Sequence, residues 1–126
     1  MIDFDPYASW DQALNLNRYD WTHANALDVN YDNDGNLESI YLSSRHLSRI
    51  TKINYETKEI DWNLGHQMQS DIMDCGQNIN FSFQHSIIVL DNGNIVTLDN
   101  GNLSQIYNGA PSPTTRALEI QVDEIN

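Results

Sequence analysis

The feature that most limits how this chain can fold is a period-two alternation of apolar and polar residues, interrupted every few positions by turn-forming residues. Successive side chains of a strand face opposite ways, so this rhythm suits sheets with one buried face and does not fit a helical stripe. From Trp21 the pattern runs through Ala24, Ala26 and Val29 to a turn at Asp32-Asn33-Asp34-Gly35-Asn36, then returns over Leu37 to Leu42. Ser43 to Leu47 reads as a loop. Arg49 to Tyr55 alternates again, Glu56-Thr57-Lys58 turns, and Glu59 to Trp62 completes four short antiparallel strands. Four such strands in about forty residues make a small meander or one blade of a propeller.

A second unit echoes the first. Gln84 to Leu90 reads as a strand, Asp91-Asn92-Gly93-Asn94 as a hairpin turn, and Ile95 to Leu98 as the return. Each unit has a histidine where its first strand begins, His23 in one and His85 in the other, followed by an Asx-Gly-Asn turn. A last strand is expected from Arg116 to Val122, after Pro111-Ser112-Pro113. The expected organisation is one all-β domain over 1–126. It divides into an irregular segment at 1–20, a first blade at 21–65, a loop at 66–83 and a second unit at 84–126. Within the first segment, Asp5-Pro6 followed by Trp10, Ala13 and Leu14 at helical spacing predicts a short helix.

Composition closes off several classes of function. Eighteen acidic residues against six basic ones leave a net charge of -12, a field that repels a phosphate backbone and excludes nucleic acid as a default partner. One cysteine, Cys75, makes no internal disulfide. No apolar run approaches the ~20 residues of a membrane helix. Met1 to Pro6 has neither the basic nor the apolar region of a secretory signal, so any signal lies outside this chain.

The candidate chemistry gathers at strand ends, in Asp20-Trp21-Thr22-His23-Ala24-Asn25, Leu42-Ser43-Ser44-Arg45-His46 and Phe83-Gln84-His85-Ser86. Imidazole, with an ordinary pKa of about 6.5, serves as nucleophile or proton shuttle near neutral pH. Arginine offers a planar fork of donors suited to an oxyanion. Together they suit an anionic ester group. His66 reads as a solvated loop histidine. Asp32 to Asn36 has the front of a calcium loop, with Asn30 in its first position. Tyr41 nevertheless stands where an EF-hand needs Glu, and strands flank it, so a hairpin turn is the reading and no metal is expected.

Taken in order, several stretches resemble the arylsulfotransferase family: Asp20 to Asn25, Tyr41 to His46, Lys52-Ile53, Ile60 to Gly65, Gln84-His85, Leu98 to Gly101 and Arg116 to Glu119. The resemblance implies a six-bladed β-propeller fold and transfer of sulfate between phenols without a nucleotide donor or other cofactor. It implies His85 as the nucleophile that becomes transiently sulfated, with His23 and Arg45 holding sulfate oxygens and Asn25 assisting. His46 is given a supporting role, and Arg116 either approaches the site or starts the last strand. Family members have upstream blades with a further active-site histidine that this chain lacks, and some have a cysteine pair where only Cys75 stands here. They are normally exported, which implies a periplasmic or secreted location; with no signal in this chain, the cytoplasm also stays open.

Length limits how much of a propeller is present. Four blades of ~40 residues need about 160, so 126 residues form a partial β-propeller of two to three blades. Unpaired edges and apolar faces would then have to be covered by further sequence or by other copies, and homo-oligomerisation is the expectation. A non-catalytic binding or assembly module built on the same pattern is the alternative to an enzyme.

Overall fold

The computed structural model describes residues 15, 20, 22–65 and 79–124. The helix expected around Trp10 to Leu14, most of the 66–83 loop with His66 and Cys75, and Trp21 lie outside the described residues.

Two antiparallel sheets form the structure. The first contains β1 (Ala24–Tyr31), β2 (Leu37–Ser44), β3 (Arg49–Asn54) and β4 (Ile60–Gly65), paired in chain order. Leu27 faces Leu42 and Val29 faces Ile40 across the first pair, while Ile50 faces Leu64 across the last. The second sheet contains β5 (His85–Val89), β6 (Ile95–Asp99) and β7 (Arg116–Ile120), again in chain order. This is the architecture of a partial propeller, with a four-stranded unit followed by a three-stranded one. Between β6 and β7 lies a short helix, α1 (Ser104–Asn108), which the strand-dominated pattern does not announce. β2 also runs on to Ser44, so the expected loop there shrinks to a single 3-10 turn at Arg45–Leu47.

Both hairpin turns use asparagine and aspartate as expected. Asp32 Oδ1 accepts the backbone N–H groups of Asp34 and Asn36 at 2.9 and 2.8 Å, and Gly35 takes the left-handed conformation, φ +82°. The carboxylate is therefore committed to its own turn. Asn92 caps the second hairpin in the same way by accepting from Asn94 N–H at 3.0 Å.

The core lies where the two sheets face each other. Tyr41, Ile50, Trp62 and Leu64 come from the first sheet, Ile87, Ile95 and Ile120 from the second, and Phe81 from the segment leading into β5. Ile50, Phe81 and Ile95 are wholly buried, and each such side chain contributes roughly 1.5–3 kcal/mol by leaving water. The inner strands are joined by polar contacts as well. Asn25 Nδ2–H donates to Gln84 O at 2.8 Å, and Val89 N–H donates to Asp28 Oδ2 at 2.7 Å.

Candidate active site

Each inner strand begins irregularly, and that irregularity positions the candidate side chains. The β1–β2 register slips between Ala24 and Ala26, just after His23, whose φ is +47°. The β5–β6 register slips between His85 and Ile87, with Phe83 at φ +54° and Ser86 at φ +61° on either side of His85. Left-handed backbone at residues other than glycine costs of order 1 kcal/mol and persists where surrounding contacts enforce it. Bulges of this kind turn a side chain out of the regular alternation.

Those contacts begin with Asp20. Its Oδ1 accepts the backbone N–H of His23 at 3.1 Å, and its Oδ2 accepts from His23 Nδ1 in a very short contact. The Arg45–Leu47 turn then docks onto the same segment: Arg45 N–H donates to His23 O and His46 N–H to Thr22 O, both at 3.1 Å. His46 is fully buried, and its Nδ1 donates to Asp20 O at 2.6 Å. A carbonyl only accepts, so that nitrogen bears the proton. The His46 ring lies 4.6 Å from that of His23 and 5.9 Å from Phe83, centroid to centroid. Arg45 spreads its guanidinium over the Phe83 ring, 4.4 Å from its centre.

Gln84 ties this cluster to the strand ends. Wholly buried, it donates through Nε2 toward Ser43 Oγ, Ser44 O and Arg49 O at 3.0, 3.2 and 2.9 Å. The next residue, His85, is exposed, with Nδ1 3.0 Å from Ser86 Oγ. His23, Asn25, Arg45 and His46 thus share one neighbourhood with the Phe83-Gln84 segment that leads into His85. Arg116 does not join it: Nε and Nη2 reach Asp99 Oδ2 at 2.9 and 2.7 Å, within the second sheet.

The neighbourhood holds a guanidinium, that of Arg45, and a carboxylate, that of Asp20. Burial pulls the Arg45 pKa down from its ordinary value while the Asp20 charge opposes it, and a guanidinium stays protonated regardless. Arg45 Nη1 is buried without an acceptor, and Asn25 Oδ1, His46 Nε2 and Gln84 Oε1 also lack partners in this neighbourhood. For Asp20, burial works to raise the pKa, but the ring hydrogen bond and charge of His23, with the charge of His46, outweigh it and hold the carboxyl below its usual range. Asp20, His23 and His46 do offer one ligand-type atom each within 4.8 Å of one another. Asp20 Oδ2 and His23 Nδ1 already engage each other, while His46 keeps Nε2 without a partner.

Against known protein families, the arylsulfotransferase (ASST) model matches residues 2–126. The chain belongs to the arylsulfotransferase family. Neither the comparison with curated proteins nor that with solved structures gives a match. In this arylsulfotransferase chain His23, Asn25, Arg45 and His46 lie in one neighbourhood with Phe83 and Gln84, and Arg45 Nη1 there has no acceptor. Three participants were not singled out from sequence. Asp20 could have been suspected from its spacing, because an Asp three residues before a strand-opening His is the pattern of a local side-chain turn. Phe83 under Arg45 and Gln84 across Ser43 and Arg49 depend on contacts between sheets, which no local pattern announces.

Proposed function

We propose that this chain transfers a sulfuryl group from an aryl sulfate ester to a phenol through a covalent intermediate on His85. The observation that supports the reading is the unpartnered Arg45 guanidinium nitrogen over the Phe83 ring, two residues before His85, with Asn25 bonded to the intervening Gln84. A sulfate ester bears one negative charge on oxygens that need donors, and fixed donors out of bulk water stabilise that charge most strongly. Arg45 and His23 supply them, Asn25 assists through its amide, and His46 supports the ring of His23 from behind.

With His85 Nδ1 engaged by Ser86, Nε2 is the nitrogen left to attack. Its lone pair forms an N–S bond as the bond between sulfur and the aryl oxygen breaks. The electron pair leaves with the phenolate, which takes a proton from water. In the second half the acceptor phenol attacks the same sulfur, the N–S bond breaks, its electrons return to Nε2, and the phenol proton passes to water. Dividing the transfer in two replaces one difficult step with two easier ones and leads to ping-pong kinetics. The chemistry calls for no cofactor and no nucleotide. Membership of this family suits an exported, periplasmic protein.

The test is release of phenol from an aryl sulfate in the presence of an acceptor phenol, compared with His85→Ala. Loss of at least ~10³-fold in the variant is expected when a nucleophile is removed. Equal rates in the two proteins would defeat the assignment, and a folded chain with no turnover would favour a binding module.

A further inference from the structure

Resting on that reading, we propose that Asp20 is a positioning residue that makes His23 a double donor, so that the sulfate ester binds to an imidazolium rather than to a neutral ring. Three contacts converge on this one aspartate. Oδ1 holds the His23 backbone N–H, Oδ2 holds His23 Nδ1, and the backbone carbonyl holds His46 Nδ1.

The consequence follows from donor and acceptor counting. An ionised carboxylate is acceptor-only, so His23 Nδ1 bears a proton in this contact. The other ring nitrogen, Nε2, is then a lone pair when the ring is neutral and an N–H when it is charged. A sulfate oxygen is also acceptor-only, and a lone pair facing it would repel it. His23 can hold the ester only with both nitrogens protonated. Asp20 supplies the countercharge for that state, about half of it exposed to water: the side chains of Asp20 and His23 are 44 % and 39 % exposed. The charged groups facing His23 are Asp20 on one side and the Arg45-His46 turn on the other. Arg45 opposes a second positive charge, so without the carboxylate His23 has only cationic and neutral neighbours among the described residues. Asp20 therefore acts on donor binding, and it touches neither sulfur nor the leaving oxygen.

Asp20→Asn is the informative variant, because it removes the charge at nearly constant size while its single amide oxygen still accepts from one of the two His23 donors. The whole chain would be compared with wild type in two measurements. In steady-state kinetics, KM for the aryl sulfate should rise by about tenfold, the scale of one charge-assisted contact, with kcat changing less. The pH above which KM begins to climb should also move to lower values. In nitrogen-15 NMR with inorganic sulfate as the probe, wild-type His23 should show both ring nitrogens protonated in the bound form, and Asp20→Asn should lose that signature at the same sulfate concentration and pH. KM within twofold of wild type and an unmoved pH profile would overturn the proposal. So would a sulfate-bound wild-type His23 with one bare nitrogen, a result that needs neither turnover nor a folded variant. A protein that binds sulfate with a doubly protonated His23 yet transfers nothing would sink the transferase reading and leave this one standing.

Discussion

His46 sits at the centre of the cluster but faces no solvent, and its protonation bears on stability. Burial lowers its pKa from the ordinary value of about 6.5, the hydrogen bond to Asp20 O opposes that, and the charges of His23 and Arg45 add to the lowering. The unfolded chain takes up a proton at this residue as pH falls through about 6.5, whereas the folded chain does so only at lower pH. The contribution is therefore complete above that value and is lost as the pH drops below it. His46→Asn, whose amide can still donate to Asp20 O, should show a smaller loss of urea midpoint than wild type between about pH 7.5 and about pH 5.5. Equal losses would mean that His46 does not titrate in this window. At the residue scale, some of the candidates could be read from sequence. His23, Arg45 and His85 stood out because each ends a strand in a recognisable motif. Asp20 and Phe83 did not, because what distinguishes them is a carboxylate shared by the backbone N–H and ring of His23 and a ring beneath a guanidinium.

At the scale of elements, the second sheet depends on a buried ion pair. Asp99 is wholly buried in β6, accepts from Ser82 N–H at 2.9 Å and Gly101 N–H at 2.8 Å, and meets Arg116 at the start of β7. Arg116 also reaches toward Asn80 O at 3.4 Å, so the pair ties β6 and β7 to the segment that leads to Phe83 and His85. Gly101 completes the turn: its φ is +65°, and a Cβ there would lie 1.8 Å from Thr114 O. Removing one partner strands the other, so Arg116→Ala should cost about 2–3 kcal/mol in urea unfolding, somewhat less than a fully enclosed pair because the guanidinium is part-exposed. Unchanged stability with a raised donor KM would instead put Arg116 in the site. Seven strands were legible from alternation and turn chemistry because both are local. The extension of β2 to Ser44 and the helix α1 were not, since Gln84 and Ser112, distant in sequence, supply the hydrogen bonds that hold those segments.

For the whole molecule, two sheets share one core yet leave apolar side chains outside it. Leu27 and Tyr31 on β1, Ile88 on β5 and Leu98 on β6 are between 40 % and 61 % exposed. Exposed apolar side chains mark contact surface where they are contiguous, and we predict that the chain self-associates through these. Light scattering should give a mass above that of one chain, and a stable monomer at micromolar concentration would contradict this. The net charge of -12 acts at the same scale. It repels anionic donors in general, so the proposed function needs a local site such as the Arg45-His23 neighbourhood to hold one. The central claim is that sulfate passes through His85, and the most direct measurement is mass spectrometry of the protein after exposure to an aryl sulfate with no acceptor present. The account predicts one added sulfuryl group, mapped to His85, absent from His85→Ala and discharged when a phenol is supplied. Turnover by a chain that never acquires that mass, or acquires it on another residue, would contradict it.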